Sequence, residues 1–337
     1  MLVAILAAFI VTWLVAPLTI KLAFKLGAID QPDPRKVHRQ TMPRLGGLAI
    51  FVGFMLPAVF LVKGLPGYDG IIIGALLMFV VGWLDDLYSL SPHVKLLGQS
   101  LAVIVAMYMG VMVHFVTNPF VGLTGIGFLG VPVTFLWLVG ITNAVNLIDG
   151  LDGLAAGVSA IAALTMGVVA YLQGQTMVAI VTLILAAAIL GFLPYNFHPS
   201  RTFMGDCGSN FLGFILAALA VMSSTKSTTV LSLFVPIVIL GIPIFDTCFA
   251  IIRRFYNHQP IFKPDRSHLH HRLLSLGYSH RQSVLIIYGI SLFFGAAAVI
   301  LSFINSPQAS IWLVVIILFI LWGAGKLGIF NLKRRSG

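Results

Sequence analysis

Apolar runs of roughly 17 to 25 residues follow one another almost end to end along this chain, each long enough to cross a hydrocarbon core of about 30 Å as a helix. No other feature restricts the fold so strongly. Within a bilayer only helices and closed barrels satisfy their own backbone hydrogen bonds. Barrel strands alternate polar and apolar residues over about 10 positions, whereas these runs are unbroken. The sequence therefore predicts an all-α polytopic membrane protein. Composition agrees, because 59% of the 337 residues are hydrophobic and only 9% are charged. The mean hydropathy of +1.04 lies far from that of a soluble domain.

The runs place spans near 1–26, 46–63, 70–86, 95–113, 131–148, 153–172, 176–193, 210–223, 230–254, 282–303 and 310–328, about eleven transmembrane helices in all. With the N-terminus outside and the C-terminus cytoplasmic, eighteen of the 20 Lys and Arg residues fall inside, and only Lys63 and Lys226 fall outside. That asymmetry is what the positive-inside rule demands of a correct register. Residues 1–20 are read as a retained first helix rather than a signal peptide, since no positive charge precedes the apolar run. The net charge of +10 borders the spans, which fits topology and anionic headgroups rather than nucleic acid. Cys207 and Cys248 lie on the inner side, offer no disulfide framework, and are expected to be reduced.

Residues 1–337 read as a single integral membrane domain, and its chemistry is expected where the inner loops gather. The segment at 114–130 reads as a small outer hairpin without a chemical role. The inner stretches 27–45, 85–95, 143–153, 194–209 and 255–281 are instead crowded with Asp, Asn, His, Arg, Gly and Pro. The chain has no glutamate, and nine of its ten aspartates fall on the inner side, with Asp69 the exception. The positive-inside rule says little about acids, so topology does not explain this one-sidedness.

Asp85 and Asp86 end the third span, where the helix macrodipole disfavours carboxylates and adjacent acids repel. Such a pair suits divalent-cation binding or proton handling. Lys95 follows at the start of the next span, either to hold a phosphate or to snorkel. Asn143, Asn146, Asp149 and Asp152, with Gly150 and Gly153, concentrate polar groups between the fifth and sixth spans. Bundle hydrogen bonding is an alternative for the two amides, and an N-cap is one for Asp152. In the loop before the eighth span, Gly205 and Gly208 permit a tight turn that presents Asp206 to a metal beside the ring of Phe203. A cap is the alternative for Asp206. His268, His270 and His271 lie between Arg266 and Arg272, a mixture that suits phosphate oxygens better than zinc. Asp246, seven residues before Arg253, reads as an internal ion-pair partner. Aspartates for Mg²⁺ and basic groups for phosphates point to phosphoryl transfer involving a lipid. An ion-coupled transporter is the alternative of another class, but its acids belong near the midplane.

The Asp85-Asp86 pair, the run from Asn143 to Gly153, Met204-Gly205-Asp206-Cys207-Gly208-Ser209 and His268-Leu269-His270-His271 together resemble the polyprenyl-phosphate N-acetylhexosamine-1-phosphate transferases, in order and over nearly the whole chain. The resemblance implies a helical membrane bundle in a bacterial inner membrane, with a cytoplasmic cleft, dependent on Mg²⁺ with Mn²⁺ as a substitute. It further implies transfer of a sugar phosphate from a UDP-sugar to undecaprenyl phosphate, with release of UMP. Leu269 between the histidines resembles the branch that takes UDP-N-acetylglucosamine and starts teichoic-acid or O-antigen synthesis. It departs from the three consecutive histidines of the UDP-N-acetylmuramoyl-pentapeptide branch, which stays as the alternative. By the same resemblance Asp206 and Asn146 hold the metal, and Asp85 or Asp86 orients or deprotonates the lipid phosphate. Asp152 and Phe203 meet uracil, while Lys95, Arg266, His268, His270 and His271 bind the diphosphate or sugar. Asn143 and Asp149 complete the substrate-binding set. A homodimer is left open.

Overall fold

The computed structural model describes residues 1–31, 41–62, 65–118, 122–225, 234–257, 268–303 and 325. Helix α1 (Leu2–Leu26) ends at Gly27, whose left-handed φ of 73° a side chain would resist. Two short strands, β1 (Ile29–Asp30) and β2 (Met42–Pro43), pair across the next loop. Helices α2 (Gly47–Val62), α3 (Tyr68–Tyr88) and α4 (Pro92–Tyr108) follow. Ser91 caps α4 and Pro92 opens it, a favoured N-terminal pairing. The expected hairpin is present as β3 (Phe115–Asn118) and β4 (Gly122–Gly125). Then come α5 (Gly130–Ile148), α6 (Leu154–Leu172), α7 (Thr176–Asn196) and α8 (Gly205–Thr225).

The expected span at 230–254 is interrupted. It forms α9 (Phe234–Ile239) and α10 (Gly241–Tyr256), joined at Leu240. Pro243 explains the break: it has no N–H to give the Ile239 carbonyl, and its ring clashes with that group. Helix α11 (Leu269–Ser275) is a single short element, and α12 (His280–Leu301) starts with a Ser279/Gln282 capping box. Among the described residues, seven helices are long and apolar enough to span a membrane. The α2 helix falls short at 16 residues and α4 at 17, and the expected span at 310–328 lies outside the described residues. The protein is thus a polytopic helical membrane protein.

Burial ranks the helices. Ninety-four per cent of the spanning part of α8 is buried, against 22% for α1. Helix α8 is therefore the central post, packed by α2, α3 and α5, while α1 lies against α2 and α7 and turns Leu2, Val3, Leu6 and Trp13 outward. Close crossings depend on small residues. At Gly47 of α2 and Gly208 of α8 the backbones meet so tightly that a Cβ on either would overlap the other. The C-terminal ends of α3, α5 and α7 and the N-terminal ends of α4, α6, α8 and α12 collect at one end of this bundle.

Candidate active site

The first turn of α8 is fixed from outside. Gly46 and Gly47 donate their amides to Phe203 O and Met204 O, at 3.0 and 2.8 Å, and Phe203 N donates to Pro43 O at 2.8 Å. Gly205 then turns with φ 74°, in a space where a Cβ would overlap Arg44 O and crowd the Asp86 carboxylate. Asp86 reaches across from α3 to accept from Asp206 N at 2.8 Å and Cys207 N at 2.9 Å. Those amides are donors that an α-helix leaves unsatisfied, and its dipole favours a carboxylate there. With a fully buried side chain, Asp86 serves α8 as a cap borrowed from another helix.

The side chain of Asp206 stands free of that cap and gathers three donors among the described residues. Its Oδ1 accepts from Lys95 Nζ at 2.6 Å and Asn146 Nδ2 at 2.5 Å, and its Oδ2 accepts from Arg44 Nη2 at 3.2 Å. Lys95 Nζ also donates to Asp85 Oδ2 at 2.9 Å and Asn146 Oδ1 at 3.1 Å. Three side-chain oxygens, from Asp85, Asn146 and Asp206, thus converge on one cation. Asp85 Oδ1 is held by Leu90 N at 2.8 Å, and Asn146 also donates to Ser209 Oγ at 2.7 Å. Burial alone would lower the pKa of Arg44, but Asp86 and Asp206 beside it outweigh that and keep it raised.

Asn143 lies below this centre. Its amide donates to Gln99 Oε1 at 2.8 Å and Val139 O at 2.9 Å, and Gln99 donates to Asn210 Oδ1 at 3.2 Å. This chain of amides ties α4, α5 and α8 together. Asp149, in the turn after α5, has its pKa pushed up to about 8, mainly by burial and then by the charges of Asp206 and Asp86.

Asp152 is not the N-cap of α6; Gly153 takes that place without a side-chain bond. The Asp152 Oδ2 atom instead accepts from His198 Nδ1 at 2.8 Å and Ser200 N at 3.3 Å. Phe203 is half-buried behind the Gly205 turn. Asp246 has partners beyond the expected Arg253: its carboxylate holds His268 Nδ1 and Leu269 N, both at 2.8 Å, so it anchors the histidine segment. His270 is 2% exposed, and burial, aided by His271, lowers its pKa to about 3. At neutral pH it is an uncharged ring that keeps one N–H to donate. Gly150 leaves room for this ring, since a Cβ would stand 2.5 Å from its Nε2. Arg266, together with Asp33 and Asp265, lies outside the described residues.

Nothing in the spacing pairs Arg44 with Asp206, Asp246 with His268, or His198 and His280 with Asp152. Each pairing joins segments distant in the chain, which periodicity and spacing do not connect.

Fold and site together define a polytopic helical membrane protein that holds a carboxylate, amide and ammonium centre at one end of its bundle. The chain belongs to the polyprenyl-phosphate N-acetylhexosamine-1-phosphate transferases: residues 68–224 match the model of glycosyl transferase family 4. It is 47% identical to the "probable undecaprenyl-phosphate N-acetylglucosaminyl 1-phosphate transferase" of Bacillus subtilis (strain 168), over 95% of this chain and 89% of that one. It is 37% identical to the "decaprenyl-phosphate N-acetylglucosaminephosphotransferase" of Mycobacterium tuberculosis (strain ATCC 25618 / H37Rv), over 88% and 81% of the two chains. With the "undecaprenyl-phosphate alpha-N-acetylglucosaminyl 1-phosphate transferase" of Escherichia coli O157:H7 it shares 27% identity, over 90% and 84%.

Proposed function

We propose that this protein transfers N-acetylglucosamine 1-phosphate from UDP-N-acetylglucosamine to a polyprenyl phosphate, undecaprenyl phosphate by preference, and releases UMP. The reaction is placed at the cytoplasmic face of a bacterial inner membrane, as the first step of a wall or surface glycan. The observation that carries this reading is the convergence of Asp85, Asn146 and Asp206 oxygens on Lys95 at one end of a helical bundle. The relatives' names supply the sugar and the lipid.

The donor set fits Mg²⁺, or Mn²⁺ in its place, because Asp206 and Asn146 offer hard oxygens that already face a cation. A bound divalent ion would neutralise the diphosphate and make its β-phosphorus more electrophilic. Lys95 and Arg44 then share the charge that develops on the phosphoryl oxygens, a preorganised arrangement that needs no movement of solvent. Asp85 faces the acceptor phosphate and takes up its proton when it arrives as a monoanion. Asp86 keeps the α8 terminus, and so Asp206, in place. A lipid phosphate oxygen attacks the β-phosphorus in line. The bond from that phosphorus to the α,β-bridging oxygen breaks, and UMP leaves with the oxygen. The acceptor is already an anion, so a direct displacement suffices.

The test uses the purified full-length protein in lipid nanodiscs with Mg²⁺, undecaprenyl phosphate and UDP-N-acetylglucosamine. UMP and lipid diphosphate sugar should appear one for one, and UDP-N-acetylmuramoyl-pentapeptide should give neither. Turnover of the pentapeptide substrate instead, or no UMP from any UDP-hexosamine, overturns the proposal. A phosphorylated enzyme captured without lipid acceptor overturns the direct route.

A further inference from the structure

Helix α4 bridges α5 to α8 twice, at two depths in the bundle. In the upper layer Lys95 Nζ donates to Asn146 Oδ1 of α5 at 3.1 Å and to Asp206 Oδ1 of α8 at 2.6 Å. In the lower layer Gln99 Oε1 accepts from Asn143 Nδ2 of α5 at 2.8 Å, and Gln99 Nε2 donates to Asn210 Oδ1 of α8 at 3.2 Å. Gln99 stands four residues after Lys95, Asn143 three before Asn146, and Asn210 four after Asp206. Each is therefore one helical turn from its counterpart, on the same face. Because α5 runs toward the site while α4 and α8 run away from it, all three steps lead the same way, into the bundle.

Packing alone does not account for the lower layer. Gln99 and Asn210 are both 0% exposed, and among the described residues Asn210 Nδ2 has no hydrogen-bond partner. A buried amide with an idle donor stabilises a bundle less than an apolar side chain of similar bulk would. Directional bonds supply register instead. Helix α4 has need of it, being peripheral: Val94, Leu97, Leu101, Ile104 and Tyr108 form an exposed apolar stripe along its outer face. An apolar inner face would let such a helix turn and slide over its neighbours at little cost. Gln99 meets Asn143 and Asn210 together only at one rotation and one depth.

We propose that Gln99 and Asn210 are positioning residues: with Asn143 they form an amide latch that sets the rotation and depth of α4, and so delivers Lys95 Nζ to the point where the Asn146 and Asp206 oxygens meet. The inference rests on the proposed part of Lys95 in phosphoryl transfer, and it gives Asn143 a place in the latch in place of a substrate contact. With the latch broken, the Lys95 ammonium would still find a carboxylate, but away from the oxygens that gain charge in the transfer. Misplacement by about 1 Å costs up to about 10²-fold in rate.

The test compares variants of the full-length protein in nanodiscs. Gln99→Leu leaves the Asn210 amide buried and unpaired, and should lower the melting temperature and kcat together. Adding Asn210→Ala removes both partners at nearly constant summed volume, so the melting temperature should return to within about 3 °C of the unaltered protein. The rate should not return with it. In the double variant kcat should stay at least about tenfold down, with KM for UDP-N-acetylglucosamine within about twofold, because Lys95 serves the transition state. A kcat that recovers with stability, or a rise in KM at constant kcat, overturns the positioning role and leaves the amides as a tie between helices.

A second readout needs no turnover. Acetylation of Lys95 by a small amine-reactive ester is followed by mass spectrometry and referred to Lys21 and Lys25, which are exposed on α1. It should run at least about threefold faster in both variants, since the ammonium is no longer held by its oxygens. Equal rates overturn the latch. If the unaltered protein turns over no UDP-sugar, the proposed function fails separately, and the labelling of Lys95 still decides whether Gln99 and Asn210 place it.

Discussion

Asp206 and Asp86 lie on either side of one helix terminus, yet they do different work. Asp86 accepts from the backbone amides of Asp206 and Cys207, whereas among the described residues the Asp206 side chain accepts from Lys95, Asn146 and Arg44. Asp206→Asn should therefore abolish turnover, by at least about 10³-fold, with the melting temperature within a few degrees of the unaltered protein. UMP release and a thermal melt check this together, and near-normal activity across Mg²⁺ concentrations would reduce Asp206 to a helix residue. Asp149 adds a pH dependence. Its pKa near 8, above the ordinary 3.8, means that the folded chain binds this proton more tightly than the unfolded chain does. Its contribution to stability is full below about pH 4 and is lost as the pH rises through about 8. Asp149→Asn stays neutral throughout, so its melting temperature relative to the unaltered protein should rise steadily from about pH 5 to about 8 and level off above that. Parallel melting curves over that range would mean that Asp149 is ionised when folded.

At the scale of elements, most helices were legible because an apolar run of bilayer length in so hydrophobic a chain has few other uses. The polar centre was legible for the complementary reason: Asp85, Asp86, Asn146, Asp152 and Asp206 are costly neighbours of spans, and the cost calls for a purpose. Hydropathy could not reveal the break at Leu240, since the residues on both sides are apolar and only Pro243 marks it. Nor could it reveal which loop meets which, as the pairing of His268 with Asp246 depends on how α10 and α11 pack. Packing also decides which glycines matter. At Gly208 a Cβ would press on Gly47 Cα at 2.7 Å, at the crossing that sets the position of the Gly205 turn. Gly208→Ala should cost about 1–3 kcal/mol through overpacking. It should lower activity in step with the melting temperature, measured on the same preparation. A stable variant with lost activity would instead implicate Gly208 in substrate contact.

For the whole molecule, the proposed orientation joins the charge distribution to the site. Described helix ends from α3 to α8 and α12 bring the polar centre to one end of the bundle, and the basic residues Arg44, Lys95, Arg201 and Arg281 lie at that same end. A protein inserted by the positive-inside rule would therefore present this end to the cytoplasm, where nucleotide sugars are made available to it. Tyr171 sits at the opposite end, in the last turn of α6, and is 67% exposed. Ser275 closes α11 beside the site end and is exposed. In a background that carries Cys207→Ala and Cys248→Ser, Tyr171→Cys should react with a membrane-impermeant maleimide on cells whose outer membrane has been made permeable. Ser275→Cys should react only after the inner membrane is opened. The reverse pattern would place the Asp206 centre outside, away from any cytosolic UDP-sugar, and the transferase reaction proposed here could not occur in that orientation.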